Sequence, residues 1–247
     1  MIFDSAAFSD EVIRVFCENR LDPLLDGDKT ACLSAFAARL VETNEKFNLT
    51  AVTDPKEIAF KHFADCAALI PLLPRNGKIL DVGCGAGFPS VVLAILRPDL
   101  SVTALDATEK KVRFVSECAS SLGLANLSTA VGRAETLAAP GNALRESFDA
   151  VTARAVAPLR ILSELCLPFV SVGGVFLAMK GQAAERETEE AKTAIPMLGG
   201  KLREIVSGTL SDGGTETVTR AVAVVDKIRH TPPEYPRAYA RIVKKPL

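Results

Sequence analysis

The chain lacks tryptophan entirely and has only two tyrosines and two histidines among 247 residues. A surface that reads single-stranded bases by stacking them on many aromatics is therefore poorly supported. No charge of one sign dominates: 29 basic side chains meet 30 acidic ones, which excludes a simple polycation that coats nucleic acid. No uninterrupted apolar run approaches the roughly 20 residues needed to span a bilayer, so no membrane contact is expected. The opening Met1-Ile2-Phe3-Asp4-Ser5 has an acid and no Lys/Arg cluster, which speaks against a cleaved signal peptide. The six cysteines (Cys17, Cys32, Cys66, Cys84, Cys118, Cys166) are scattered without a C-x-x-C pair. Neither a disulfide framework nor a metal site is expected from them, and a cytoplasmic monomer is the plain expectation.

What is present is 48% apolar and 24% charged, a balance that excludes a disordered chain. The length suits one α/β domain with a buried core and a small appendage. The near-zero net charge hides an asymmetry. From Arg220 to Leu247 seven Lys/Arg face two acids, which leaves 22 basic against 28 acidic residues in the rest.

Residues 1–75 read as a helical segment packed on the core: Leu33, Phe36, Ala37, Leu40, Val41 and Asn44 follow the 3.6 period. Pro71, Pro74 and Asn76-Gly77 break it, and 76–247 then form the second unit. There the texture is strand–helix alternation, with strands predicted at 78–82, 101–105, 127–131, 148–152 and 175–179. Helices are predicted over 88–97, 109–122, 158–167 and 183–198. Two longer runs, 201–209 and 217–225, flank the turn Ser211-Asp212-Gly213-Gly214 and predict a closing hairpin. The fold class is thus α/β and Rossmann-like: a seven-stranded, mostly parallel sheet with a C-terminal antiparallel hairpin.

The sharpest feature is Asp81-Val82-Gly83-Cys84-Gly85-Ala86-Gly87-Phe88-Pro89. A strand ends, three alternate glycines follow and a helix begins, which lets the backbone turn tightly and a ligand lie against it. Glycines in a merely buried turn would look similar, but Asp106 ends the next strand about twenty residues on, where an acid can accept both ribose hydroxyls. A dinucleotide fingerprint counted from Gly83 needs glycine where Phe88 stands, and counted from Gly85 it ends at Ser90. Asp81 at the mouth of the turn would also repel a pyrophosphate. S-adenosylmethionine, with a sulfonium and an ammonium but no phosphate, fits better. The end of the fourth strand narrows the acceptor. Asp149 to Val156 lacks the Pro-Pro-aromatic loop of exocyclic-amine enzymes. Cys166, the nearest thiol to a pyrimidine-attacking nucleophile, sits in an apolar helix and reads as core. Arg154 cannot be a base, because a guanidinium stays protonated. An acceptor that needs no deprotonation, such as guanine N7, meets that condition.

Several ordered motifs now matter together: Asn48-Leu49-Thr50-Ala51-Val52, Asp54-Pro55 and His62-Phe63-Ala64-Asp65-Cys66 come first. Asp81–Pro89, Arg97-Pro98, Asp106, Lys110-Lys111-Val112-Arg113-Phe114 and Gly132-Arg133-Ala134-Glu135 follow. Arg154-Ala155, Met179-Lys180-Gly181, Tyr235-Pro236-Arg237 and Lys244-Lys245-Pro246-Leu247 complete the set. The chain resembles the bacterial 16S ribosomal RNA (guanine-N7)-methyltransferase family, ribosomal RNA small subunit methyltransferase G or glucose-inhibited division protein B, over about residues 44–182 plus the tail. The resemblance implies methyl transfer from S-adenosylmethionine to N7 of a guanine in the decoding-region loop of 16S rRNA, with the small ribosomal subunit as partner. It implies that Gly83 and Phe88 contact the donor, Asp106 holds its ribose, Ala134 and Glu135 flank the adenine, and Arg154 sits where donor and acceptor meet. Asp81 and Gly85 are counted with the donor site. The sequence departs from the family at Cys66, Cys84, Ala240 and Ile242, the last two leaving the tail's path open.

The remaining candidates each have a bland reading. His62 and Asp65, three apart, share a helix face and either pack or attend the site. Arg133 and Lys180 either meet RNA phosphate or pair with nearby acids. Glu185, Glu187, Glu189 and Glu190 read as a solvated helix face, and His230 as an exposed loop residue. Arg237, Lys244 and Lys245 in the basic tail are candidate phosphate contacts. Two rivals to the methyltransferase stay open: a nicotinamide-dependent oxidoreductase, and a non-catalytic RNA-binding or ribosome-assembly factor of the same fold.

Overall fold

Aspartates start the first helices. Asp4 accepts from the amides of Ala6 and Ala7 and begins α1 (Ser5–Glu18), while Asp26 accepts from Lys29 N and begins α2 (Gly27–Asn44). Each satisfies main-chain donors that a helix leaves unpaired. α1 buries Phe8, Val12, Val15 and Phe16, and α2 buries Leu33, Phe36, Ala37 and Leu40. Asp54 caps α3 (Pro55–Glu57), which runs through a π-helical stretch, Ile58–Ala64, into α4 (Asp65–Ala67). The structure is a computed structural model that describes residues 3–247. Met1 and Ile2, part of the reading against a signal peptide, lie outside the described residues.

The sheet order is β3-β2-β1-β4-β5-β7-β6. β1 (Lys78–Val82), β2 (Ser101–Asp106), β3 (Leu127–Val131), β4 (Phe148–Arg154) and β5 (Val170–Lys180) are parallel. β6 (Gly200–Ser211) and β7 (Thr217–Lys227) form the antiparallel hairpin, and β7 rather than β6 joins β5. Strand order reverses between β1 and β4, so the crevice of the fold opens at the carboxyl ends of these two strands. β1 is buried at four of its five positions, as a strand covered on both faces must be.

Helices α5 (Ser90–Leu96), α6 (Glu109–Ser121), α7 (Ala134–Leu137), α8 (Leu159–Cys166), α9 (Ala184–Glu190), α10 (Ala194–Met197) and α11 (Tyr239–Lys244) complete the chain. Successive strand residues feed opposite cores: Ala150 joins the cluster with α1, α2, α5 and α6, while Val151 joins the one with α8, α10 and α11. The helix predicted over 183–198 is two short ones. Pro196 has no N–H to continue a helical ladder and is tolerated only in a first turn, so the helix restarts at Ala194. Phe88 and Pro89 stay in the turn, and α5 begins at Ser90. β4 runs two residues beyond the predicted end, which carries Arg154 to the crevice.

Candidate functional site

The glycine turn is held from behind. Gly83 N and Cys84 N donate to Leu105 O at 2.8 and 3.0 Å, so the turn hangs on the end of β2. Gly83 and Gly85 have φ of +76° and +55°, a region costly for any residue with a Cβ. A Cβ at Gly83 would also come within 2.6 Å of Val156 Cγ2. Asp106, at the end of β2, accepts from Gly85 N at 3.1 Å and Thr108 N at 2.8 Å. Those two amides fix the carboxylate and leave its remaining lone pairs for a ligand. A backbone cradle that tolerates no side chain, beside an oriented carboxylate, fits the adenosyl part of S-adenosylmethionine.

Asp81 lies elsewhere. It is fully buried, accepts from Ser90 N at 3.1 Å, and has Thr152 Oγ1 at 3.5 Å. Burial pushes its carboxyl up to about 6 against the pull of Ser90, Arg154 and Thr152. It braces the first turn of α5 from beneath the glycine turn and is outside the cleft wall, in place of the position at the mouth read from its spacing.

The cleft has a volume of about 1080 Å³. One end is walled by Gly83, Gly85, Phe88, Asp106, Ala134 and Glu135. Arg154 sits at the other end, in a network that the helical segment supplies. Its guanidinium donates to Lys61 O at 3.2 Å and to Asp65 Oδ2 at 3.1 Å, and meets His62 Nδ1 at 3.0 Å. A guanidinium only donates, so Nδ1 accepts; the ring proton is on Nε2, 3.1 Å from Thr50 Oγ1. Burial, then the Arg154 charge, lowers the His62 ring to about 3, which keeps it neutral. Its ring lies 4.3 Å from that of Phe88. Asp65 is 6% exposed and is shared, since Arg220 Nε lies 2.9 Å from its Oδ1. The π-helical stretch matters because it sets Lys61 O, His62 and Asp65 around one guanidinium.

Three candidates are otherwise engaged. Lys180 Nζ donates to Ala157 O and pairs with Glu187, both at 2.7 Å, which ties β5 to the loop after Arg154. Glu187 also accepts from Leu159 N at 2.7 Å, so of the four glutamates read as a solvated face this one is an interior brace. Arg237 donates through its main-chain N and its guanidinium to Glu164, whose side chain is fully buried. It anchors the tail instead of facing solvent. Arg133 is half exposed and pairs with Glu135 at 3.1 Å, and Lys244 and Lys245 are exposed and do not line the cleft. Cys166 is buried in the core and its thiol is pushed well up, while His230 is exposed and pairs with Glu146. Among the described residues no cluster of His, Cys, Asp or Glu is placed to hold a metal, and no helix is long and apolar enough to cross a membrane.

Sequence reasoning passed over Arg220, Glu164 and Tyr239. Nothing in local spacing marks them, because each meets its partner through tertiary contacts.

A family model described as rRNA small subunit methyltransferase G (GidB) matches residues 29–213. The chain belongs to this family. It is 41% identical over 237 residues to the ribosomal RNA small subunit methyltransferase G of Desulfitobacterium hafniense (strain Y51), covering 96% of this chain and 97% of that one. Identity to the protein of the same name from Oceanobacillus iheyensis is 44% over 210 residues, covering 84% and 87%. The fold is similar to that of M. jannaschii TYW2 in complex with AdoMet, with a TM-score of 0.53 at 16% identity over 68% of this chain and 76% of that one. As a member of the rRNA small subunit methyltransferase G family, the chain is an S-adenosylmethionine-dependent rRNA methyltransferase. This membership leaves no place for the nicotinamide oxidoreductase or the non-catalytic factor.

Proposed function

We propose that the enzyme methylates N7 of a guanine in the decoding-region loop of 16S rRNA, acting as a cytoplasmic monomer on the small subunit. Within that reading Gly83, Gly85 and Phe88 contact the donor, Asp106 holds its ribose, and Ala134 and Glu135 flank its adenine. Residues 1–75 are a helical unit that completes the acceptor end of the 76–247 domain.

The observation that carries the reading is that both ionisable side chains in contact with the Arg154 guanidinium are already occupied. His62 accepts from Arg154 and stays neutral with a pKa of about 3. Asp65 is held between two arginines. Neither is a ready base, so the acceptor must bring a free lone pair, as guanine N7 does. Bound S-adenosylmethionine supplies an electrophilic methyl group on a sulfonium. Arg154 has five N–H groups, of which three are engaged. The two left can orient the guanine beside the cradle, so catalysis rests on positioning and electrostatics.

The test is labelled-methyl transfer to unmethylated small subunits and to naked rRNA, followed by reduction and aniline treatment of the product. N7-methylguanine makes the strand break at that nucleotide. Label incorporated without a break would place the methyl on another atom and overturn the reading.

A further inference from the structure

The tail was read from its charge as an RNA contact, yet α11 adds an aromatic wall to the cleft. Tyr239 lines it beside Gly132, Arg133, Ala134 and Glu135. We propose that Tyr239 is a donor-selecting residue, whose ring covers the adenine of the bound donor while Arg133 holds the ring in place. This inference rests on the reading of the cleft as the S-adenosylmethionine site.

Three observations carry it. The first is position along the sheet. β1, β2 and β3 are neighbours, about 4.8 Å apart, and their carboxyl ends present in turn the glycine cradle, Asp106 and the Gly132–Glu135 segment. A ligand with its ribose at Asp106 therefore extends its base over the end of β3, where Tyr239 stands. The second is preorganisation. The Arg133 guanidinium lies 4.2 Å from the Tyr239 ring centroid and its Nε is 3.1 Å from Glu135 Oε1. One cation thus joins the aromatic ring to the acid on the same wall. The backbone around Tyr239 is pinned on both sides: Arg237 is locked on buried Glu164, and Ile242 is fully buried against the second core. The third is exposure. Among the described residues Tyr239 is one of eight large apolar side chains left exposed, at 40%, and the one among the chain's two tyrosines so placed on the cleft wall.

The position along the sheet favours the donor's adenine over an RNA base, and Glu135 shares this wall: the carboxylate oxygen that Arg133 leaves free can accept from an exocyclic amine.

The experiment uses the full chain and S-adenosylhomocysteine as probe. By calorimetry the wild type binds, Asp106→Ala binds much more weakly, Tyr239→Ala loses about tenfold in affinity and Tyr239→Phe binds like the wild type. In steady-state methyl transfer Tyr239→Ala raises KM for the donor and leaves KM for rRNA unchanged. A second readout keeps the ring in place. With no tryptophan in the chain, Tyr235→Phe leaves Tyr239 as the sole tyrosine emitter. Saturating S-adenosylhomocysteine is expected to quench that emission, and homocysteine alone is not. Wild-type affinity in Tyr239→Ala together with unquenched emission, while Asp106→Ala still loses binding, overturns the role of Tyr239 and leaves the donor site standing. A rise confined to KM for rRNA assigns the ring to RNA and overturns the proposal too. Failure of the wild type to bind S-adenosylhomocysteine overturns the donor-site reading itself, and this inference with it.

Discussion

Arg154 is held on three sides by groups that a substrate cannot displace cheaply. Its loss removes the donors left for the acceptor, while Asp65 keeps Arg220 as a counter-ion. Arg154→Ala is therefore expected to fold and to lose at least about 100-fold in turnover. Methyl transfer with circular dichroism checks both, and a wild-type rate would refute the role. His62 makes a second prediction with a definite sign. Its folded pKa of about 3 lies below the ordinary 6.5, so between these values the unfolded chain binds a proton that the folded protein refuses. Its stabilising contribution is full above pH 6.5 and is lost as pH falls towards 3, at up to about 1.4 kcal/mol per pH unit. Asp81, raised to about 6 from 3.8, acts in the opposite sense: its contribution is full below pH 3.8 and lost as pH rises through 6. In denaturant unfolding across this range, His62→Asn is expected to flatten the rise of stability with pH and Asp81→Asn to steepen it. Equal slopes in wild type and His62→Asn would show that the ring is not held neutral.

At the scale of elements, the tail divides into an anchor and a free end. Glu164 is fully buried with Arg237 as its partner, and removing one member of such a pair strands a charge. Arg237→Gln is expected to cost about 3–5 kcal/mol of stability and to leave the salt dependence of rRNA binding as it was. Lys244 and Lys245 are exposed, so their change to glutamine should alter stability by less than about 0.5 kcal/mol. If they contact phosphate, each loss lowers the salt slope by about one. Thermal melts and binding titrations in increasing salt separate the two residue sets. The glycine turn is an element with no such slack. Gly83→Ala puts a Cβ against Val156 at a positive φ, and a loss of more than about tenfold in donor affinity is expected from calorimetry.

For the molecule as a whole, the helical segment and the sheet share one aromatic core. Phe36 stacks on Phe63 at 5.9 Å and meets Phe88 at 5.4 Å, so the residue after the glycine turn rests on side chains from far upstream. Phe36→Ala is expected to lower stability by about 3–5 kcal/mol and to weaken donor binding as well. A variant with full donor affinity at reduced stability would show that the two units are not coupled in this way.

Fold class, strand count and the glycine turn were legible in the sequence. Glycine spacing, the 3.6-residue period and the acid at the end of β2 are local properties with few alternatives, and each acts within about twenty residues. The family motifs likewise survive as ordered words along the chain. What the sequence could not decide was partnership. His62 and Asp65 looked as much like packing residues as site residues until the π-helical stretch set them against Arg154, 92 and 89 residues away. Arg237 and Lys180 looked free because their acids, Glu164 and Glu187, lie on other elements. Asp81 seemed to face the ligand because spacing shows proximity to a turn and not the side from which a carboxylate approaches it. A charge reports its sign in the sequence; whether it meets solvent, substrate or an opposite charge is settled only when distant segments are packed together.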